Sequence, residues 1–244
     1  MLKLAMAFAL LPLASWAQTE IELTAADGVA VFADAYTHEG DMLRGTILLF
    51  HQSDSNAAEY VTIAPRLAAL GFDALAVDQR SGGSMFMATN RTATALGRGA
   101  TYEAALPDMQ AALDYVITAP NTGPVILWGS SYSSSLALVL ASQNRGKVDA
   151  VMSFSPGEYF AGIKVADVAA TLTIPVYLTS SGTDSEMEQV VAIASGMAAN
   201  LVTVEDPKAG RHGSSTLIEA SNRGGWADNW IPVGMFLNMV ALAP

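Results

Sequence analysis

Along the chain, short unbroken apolar runs take turns with stretches whose apolar residues recur every three or four positions. Residues 45–50, 72–77, 125–128, 148–154 and 174–179 are runs of the first kind, the pattern of strands buried on both faces of a parallel sheet. Helical spacing marks 57–70, 107–117, 165–172, 186–197 and 230–242, and 201–204 is one further short strand. Pro65 predicts a kink or restart within the first of these helices. Residues 21–23 and 29–35 flank Asp27-Gly28, a pair that favours a tight turn, so they read as an antiparallel hairpin at a sheet edge. The alternation predicts a single α/β domain: a mostly parallel, eight-stranded sheet with helices on both faces.

One stretch organises the rest. From 125 to 142 an apolar strand gives way to small residues and then to a helix, and the turn reads Gly129-Ser-Ser-Tyr-Ser133. This fits the strained strand-to-helix turn that lifts a nucleophilic serine above a sheet, with Ser133 where a second glycine usually stands. Such a turn holds its central residue in an unfavourable conformation, so bulk at 129 or 133 is expected to collide across it. Ser131 is then the candidate nucleophile, and the N–H of Tyr132 points where an oxyanion would form. The plainer reading is a serine-rich loop capping a helix, since serine is a favoured N-cap.

In a sheet of this kind chemistry sits at the carboxyl ends of the strands. His51 and Gln52 follow the run 45–50, Asp184 follows 174–179, and His212 lies in the loop after 201–204. The interval 81–102 is long and rich in Gly, Ser, Thr and Asn, and is expected to be an excursion covering a pocket. Its Met85-Phe86-Met87 cluster either faces that pocket or pins the loop to the core. Asp78 and Arg80 end a strand and read as a structural salt link around the same loop.

Composition narrows the function classes. The chain has 244 residues, 51% hydrophobic and 14% charged, enough for a large core. Residues 1–17 carry one early Lys, a short apolar run and small residues at 15 and 17, the pattern of a secretory signal peptide, which places the mature domain at 18–244 and the protein in the periplasm or outside the cell. No cysteine is present, which excludes a disulfide framework, a thiol nucleophile and a Cys-based metal site. The formal charge is −11, and loss of Lys3 with the leader leaves 11 basic side chains against 23 acidic, or −12. Such a charge argues against nucleic acid and anionic membrane as partners. No metal-ligand cluster, phosphate loop or dinucleotide fingerprint occurs, so no cofactor is implied. Nothing in the sequence sets the oligomeric state.

On the strength of the 129–133 turn and the order of elements, the chain resembles the α/β-hydrolase family over about 21–243. Within it, the chain is similar to small single-domain members related to dienelactone hydrolase, departing from them by a Ser nucleophile and by the His51-Gln52-Ser53 loop. The resemblance implies a triad in the chain order Ser, acid, His. Ser131, Asp184 and His212 take those places, with Glu186 and Glu158 as alternative acids. It also implies an oxyanion hole made by the N–H groups of Gln52 and Tyr132. Of the three histidines, at 38, 51 and 212, only His212 follows the last strand. His51 is expected to shape its loop, and with Met85, Phe86 and Met87 it is a candidate for the substrate pocket. The expected activity is hydrolysis of carboxylic esters or thioesters of small or medium size through an acyl-enzyme. A peptidase or amidase with the same triad, or a binding protein that kept the fold, are the alternatives.

Overall fold

A computed structural model describes residues 18–207 and 209–242; the expected signal peptide at 1–17 lies outside the described residues. Eight strands form one sheet: β1 (Gln18–Thr24), β2 (Ala30–Tyr36), β3 (Gly45–Phe50), β4 (Phe72–Val77), β5 (Val125–Ser130), β6 (Ala150–Phe154), β7 (Val176–Thr179) and β8 (Val202–Glu205). Their spatial order is β1-β2-β4-β3-β5-β6-β7-β8. The pairs β1/β2 and β2/β4 are antiparallel and all others are parallel. This is the α/β-hydrolase architecture that the resemblance implies, with the hairpin at one edge.

The helices are α1 (Ile63–Ala69), α2 (Arg91–Leu96), α3 (Leu106–Ile117), α4 (Tyr132–Gln143), α5 (Val165–Ala169), α6 (Asp184–Ala194) and α7 (Trp226–Ala241). Successive side chains of a strand point to opposite faces, so each central strand feeds two cores. Leu48 and Phe50 of β3 face the cluster under α3, α4, α5 and α6, while Ile47 and Leu49 face the one under α1 and α7. This double burial is why the strands read as unbroken apolar runs.

Three departures from the sequence expectation bear on the site, beside shifts of two to four residues at the ends of β6, β7, α5 and α7. The helix expected over 57–70 is a 3₁₀ turn at Ala57–Tyr60 followed by α1, and Pro65 falls in the first turn of α1, where its missing N–H costs nothing. Helix α6 begins at Asp184, two residues before the expected start, with Thr183 as N-cap. The interval 81–102 contains α2 and is fastened down rather than draped. The Asn90 side chain donates to His51 Nε2 (3.1 Å) and Gln79 O (2.9 Å), Arg91 pairs with Asp78 (2.7 Å) and Asp34 (2.8 Å), and Thr92 Oγ1 accepts the Phe32 N–H. These ties hold the interval against β2 and the end of β4. The expected salt link at Asp78 and Arg80 exists, with partners from other elements: Arg91 for Asp78, and Asp108 and Asp27 for Arg80.

Candidate active site

Ser131 joins β5 to α4 at φ 58° and ψ −126°, a conformation that costs a non-glycine residue about 1–3 kcal/mol and persists only where the surroundings over-determine it. Here they do. The Ser131 N–H donates to Phe154 O (2.8 Å), and its carbonyl accepts the Ser134 N–H (2.9 Å) and Ser134 Oγ (2.5 Å). A methyl group at Gly129 would run into the backbone of Ser133 and Ser134, as the turn pattern predicts. Position 133 departs from that expectation: its side chain fits, and Ser133 Oγ donates to His51 O and accepts from Gln79 Nε2 (2.9 Å), tying the turn to the end of β3.

His212 Nε2 lies 2.8 Å from Ser131 Oγ, and its Nδ1 lies 2.9 Å from Glu186 Oε1. The second Glu186 oxygen accepts Ser155 Oγ (2.7 Å) and the Ser181 N–H (2.9 Å). A carboxylate only accepts, so Nδ1 carries the proton and Nε2 is left to face the serine hydroxyl. Burial opposes ionisation of Glu186, but the bonds from His212, Ser155 and Ser181 outweigh it and hold the carboxyl down at about 2. The Glu186 hydrogen bond, against the cost of burial, raises the His212 imidazole above its ordinary value.

The acid in this chain of contacts is therefore Glu186, and the expectation at Asp184 is corrected. Because α6 starts at Asp184, that residue is the first helical position and points outward to solvent, while Glu186 at the third position turns back toward the strand ends. Thr183-Asp-Ser-Glu186 has the Thr-x-x-Glu pattern of a helix start, but its reciprocal capping bonds are not made: Thr183 has no side-chain cap bond, and Glu186 accepts the Ser181 N–H instead. Glu158 is occupied elsewhere, accepting the Val165 and Ala166 N–H groups at the start of α5 (2.7 and 2.9 Å).

The two N–H groups expected at the oxyanion hole differ in their surroundings. Tyr132 is the first residue of α4, so its N–H has no acceptor within the helix. The Gln52 N–H, by contrast, donates to the buried Glu59 Oε2 (2.9 Å), so Gln52 is corrected as the second donor. The next N–H along, that of Ser53, has no protein acceptor among the described residues. His51 is fully buried. Its Nδ1 donates to Gln52 O (2.7 Å) and its Nε2 accepts the Gln79 N–H (3.0 Å), and desolvation lowers its pKa. It is a neutral strut that shapes the loop, as expected, and it lines no open pocket. His38 bonds Asp73 (2.8 Å), whose strand β4 it joins near that strand's start, at the opposite end of the sheet from Ser131.

The Met85-Phe86-Met87 cluster is tied to the loop after β3 instead of to Ser131. Met85 N–H donates to Asp54 O, and Asn56 Nδ2 donates to Met85 O (2.8 Å) and Ala88 O (3.1 Å). Phe86 packs on the core under α1 and α7, the pinning alternative, while Met87 stands wholly in solvent. A residue the sequence reading left out, Tyr102, stacks on Tyr132, the residue after the nucleophile, with ring centres 4.4 Å apart. Among the described residues no group of three or more His, Asp or Glu side chains is placed to hold a metal ion, and no helix is long and apolar enough to cross a membrane.

Comparison with known proteins agrees with this fold. The fold is shared with the esterase Pf2001 of Pyrococcus furiosus, 16% identical over 92% of this chain and 91% of that one, TM-score 0.67. Est1E from Butyrivibrio proteoclasticus is 14% identical over 76% and 87% of the two chains, TM-score 0.60. The Pyrococcus horikoshii acylaminoacyl peptidase is 14% identical over 93% of this chain but 42% of its own, TM-score 0.68. No curated protein matches the sequence. The profile of the serine aminopeptidase S33 family matches residues 41–180, which carries the α/β-hydrolase part of the resemblance; the narrower likeness to dienelactone hydrolase remains an expectation of the sequence. With more than half of its length so matched, the chain belongs to the serine aminopeptidase S33 family of α/β-hydrolases.

Proposed function

We propose that the protein is a serine hydrolase that cleaves small carboxylic esters or thioesters through an acyl-enzyme on Ser131. The observation that carries this reading is the unbroken relay from Ser131 Oγ through His212 to Glu186, at 2.8 and 2.9 Å. His212 takes the hydroxyl proton as Ser131 attacks the carbonyl carbon, and returns it to the departing alcohol or thiol. Glu186 holds the imidazole in the useful tautomer and stabilises its charged form. The N–H groups of Tyr132 and Ser53 are the proposed donors to the tetrahedral oxyanion. Water activated by His212 then releases the acid. We further propose that residues 1–17 direct export, so that the mature chain begins at Gln18.

The family description and the peptidase among the structural relatives favour one second reading, an amide substrate for the same relay. The test is the intact mass of the purified protein after exposure to a fluorophosphonate, followed by turnover of an ester and its isosteric amide. A single adduct lost in Ser131→Ala and in His212→Ala, with faster ester turnover, supports the proposal. Faster amide turnover supports the peptidase reading. Ester turnover unchanged in Ser131→Ala refutes both. If the triad acts as a unit, Ser131→Ala loses about 10⁶-fold in kcat.

A further inference from the structure

Glu59, outside the relay, is wholly buried in the 3₁₀ turn Ala57–Tyr60. Among the described residues no cation pairs with it. A buried carboxyl group without a counter-charge is expensive, and it is kept only where hydrogen bonds satisfy it. Its partners come from the loop after β3 and from the last residue of β5, next to the nucleophile. Glu59 Oε2 accepts the Gln52 N–H (2.9 Å) and Ser55 Oγ (3.0 Å), both in the loop after β3. Glu59 Oε1 accepts Ser130 Oγ (2.6 Å), from the residue just before the nucleophile. Ser130 Oγ in turn accepts the N–H of Ser214, two residues after His212 (2.9 Å).

We propose that Glu59 is a positioning residue for the reaction at Ser131, fixing the loop after β3, the nucleophile turn and the histidine loop to one another through a single carboxyl group. The proposal rests on the hydrolase reading above. Several observations support a built clamp. The 3₁₀ turn that presents Glu59 is itself held on both sides, by Asp78 Oδ1 on the Ala57 N–H (2.7 Å) and by the Asn56 side chain on the Ala58 N–H (3.0 Å). Trp128 Nε1, three residues before Ser131, donates to Ser214 Oγ (2.9 Å), which braces the same junction from β5. By pulling the Gln52 N–H inward, Glu59 also leaves the Ser53 N–H as the one turned loose for an oxyanion. Burial raises the Glu59 carboxyl while the bonds from Ser130 and Gln52 oppose the rise.

The test compares wild type, Glu59→Gln and Ser130→Ala by fluorophosphonate labelling rate and by kcat and KM on an ester, with active sites titrated so that only folded, reactive enzyme is counted. Positioning at this scale is worth about 10²-fold for a displacement near 1 Å. The expected result is therefore a fall in kcat and in labelling rate of roughly 10- to 100-fold, with KM moved less than about twofold. A purely structural role would lower the unfolding midpoint and leave kcat and labelling rate of the titrated enzyme at wild-type values, which overturns the proposal. Should Glu59→Gln not fold, Ser130→Ala decides alone, since it deletes one atom of the same link. A wild type that labels at Ser131 while the variants label equally fast refutes Glu59 and leaves the hydrolase reading standing. A wild type that does not label at all refutes both.

Discussion

Replacing Glu186 by Gln tests the relay at the point where sequence and structure part. The carboxylate forces the proton of His212 onto Nδ1. In Glu186→Gln the amide must choose which end faces His212. The other position receives the Ser181 N–H, a fixed donor, and Ser155 Oγ, which can rotate. The amide oxygen therefore belongs there, and the NH₂ group is turned toward Nδ1. That drives the His212 proton to Nε2, where it blocks the base, and a wrong tautomer of this kind costs about 10⁴-fold in kcat. Flipping the amide restores the tautomer but strands the Ser181 N–H at about 1–3 kcal/mol. At 1.36 kcal/mol per tenfold, the flipped, competent form is about one molecule in 5 to one in 150, and it still lacks the charge that stabilises the imidazolium. The expected loss in kcat is thus between about 10²- and 10⁴-fold, read on a chromogenic ester with stability followed by urea unfolding. Asp184→Asn should stay within about twofold of wild type, because Asp184 is exposed at the start of α6. A folded Glu186→Gln that keeps wild-type kcat, or an Asp184→Asn that loses it, would refute the assignment.

Other outcomes follow from the same contacts. Gly129→Ala should abolish fluorophosphonate labelling and lower the unfolding midpoint sharply, since its methyl group meets only backbone across the turn; a folded, reactive variant would show that the turn can open. Arg80→Met strands the fully buried Asp108 carboxylate that Arg80 Nη2 holds at 2.6 Å, an expected cost of about 3–5 kcal/mol in urea unfolding. Asp27→Asn, at the half-exposed end of the same guanidinium, should cost less than about 1 kcal/mol. With pH, kcat/KM needs neutral His212, whose pKa Glu186 raises, so activity should rise with pH through a midpoint above the ordinary histidine value of about 6.5. The midpoint should move down in Glu186→Gln. For stability the sign is set by Glu186, held down at about 2 against about 4.3 in the unfolded chain. Its contribution is present in full above the unfolded value and is lost as pH falls toward 2. The stability gap between wild type and Glu186→Gln should therefore narrow between about pH 5 and 2.

How much of this was legible beforehand depends on whether a feature is local. The strands 45–50 and 72–77 are read to the residue, because burial on both faces leaves an unbroken apolar run. The turn at Ser131 is legible because its strain demands small neighbours, and His212 because only three histidines exist and only one follows the last strand. What the sequence could not decide is which of several equivalent groups a neighbour would claim. Asp184 and Glu186 lie two residues apart, and the choice between them turns on where α6 begins and on the Ser155 and Ser181 donors brought from β6 and β7. Gln52 and Ser53 are adjacent, and the choice turns on Glu59, which reads in the sequence as one polar residue on a helix face and becomes a buried acceptor only when β3, β5 and the histidine loop converge on it. Periodicity records which side of an element is buried. The partner a polar group finds there is set by distant chain segments, 84 residues away in the bond from Ser214 to Ser130, and only the folded arrangement brings them within reach.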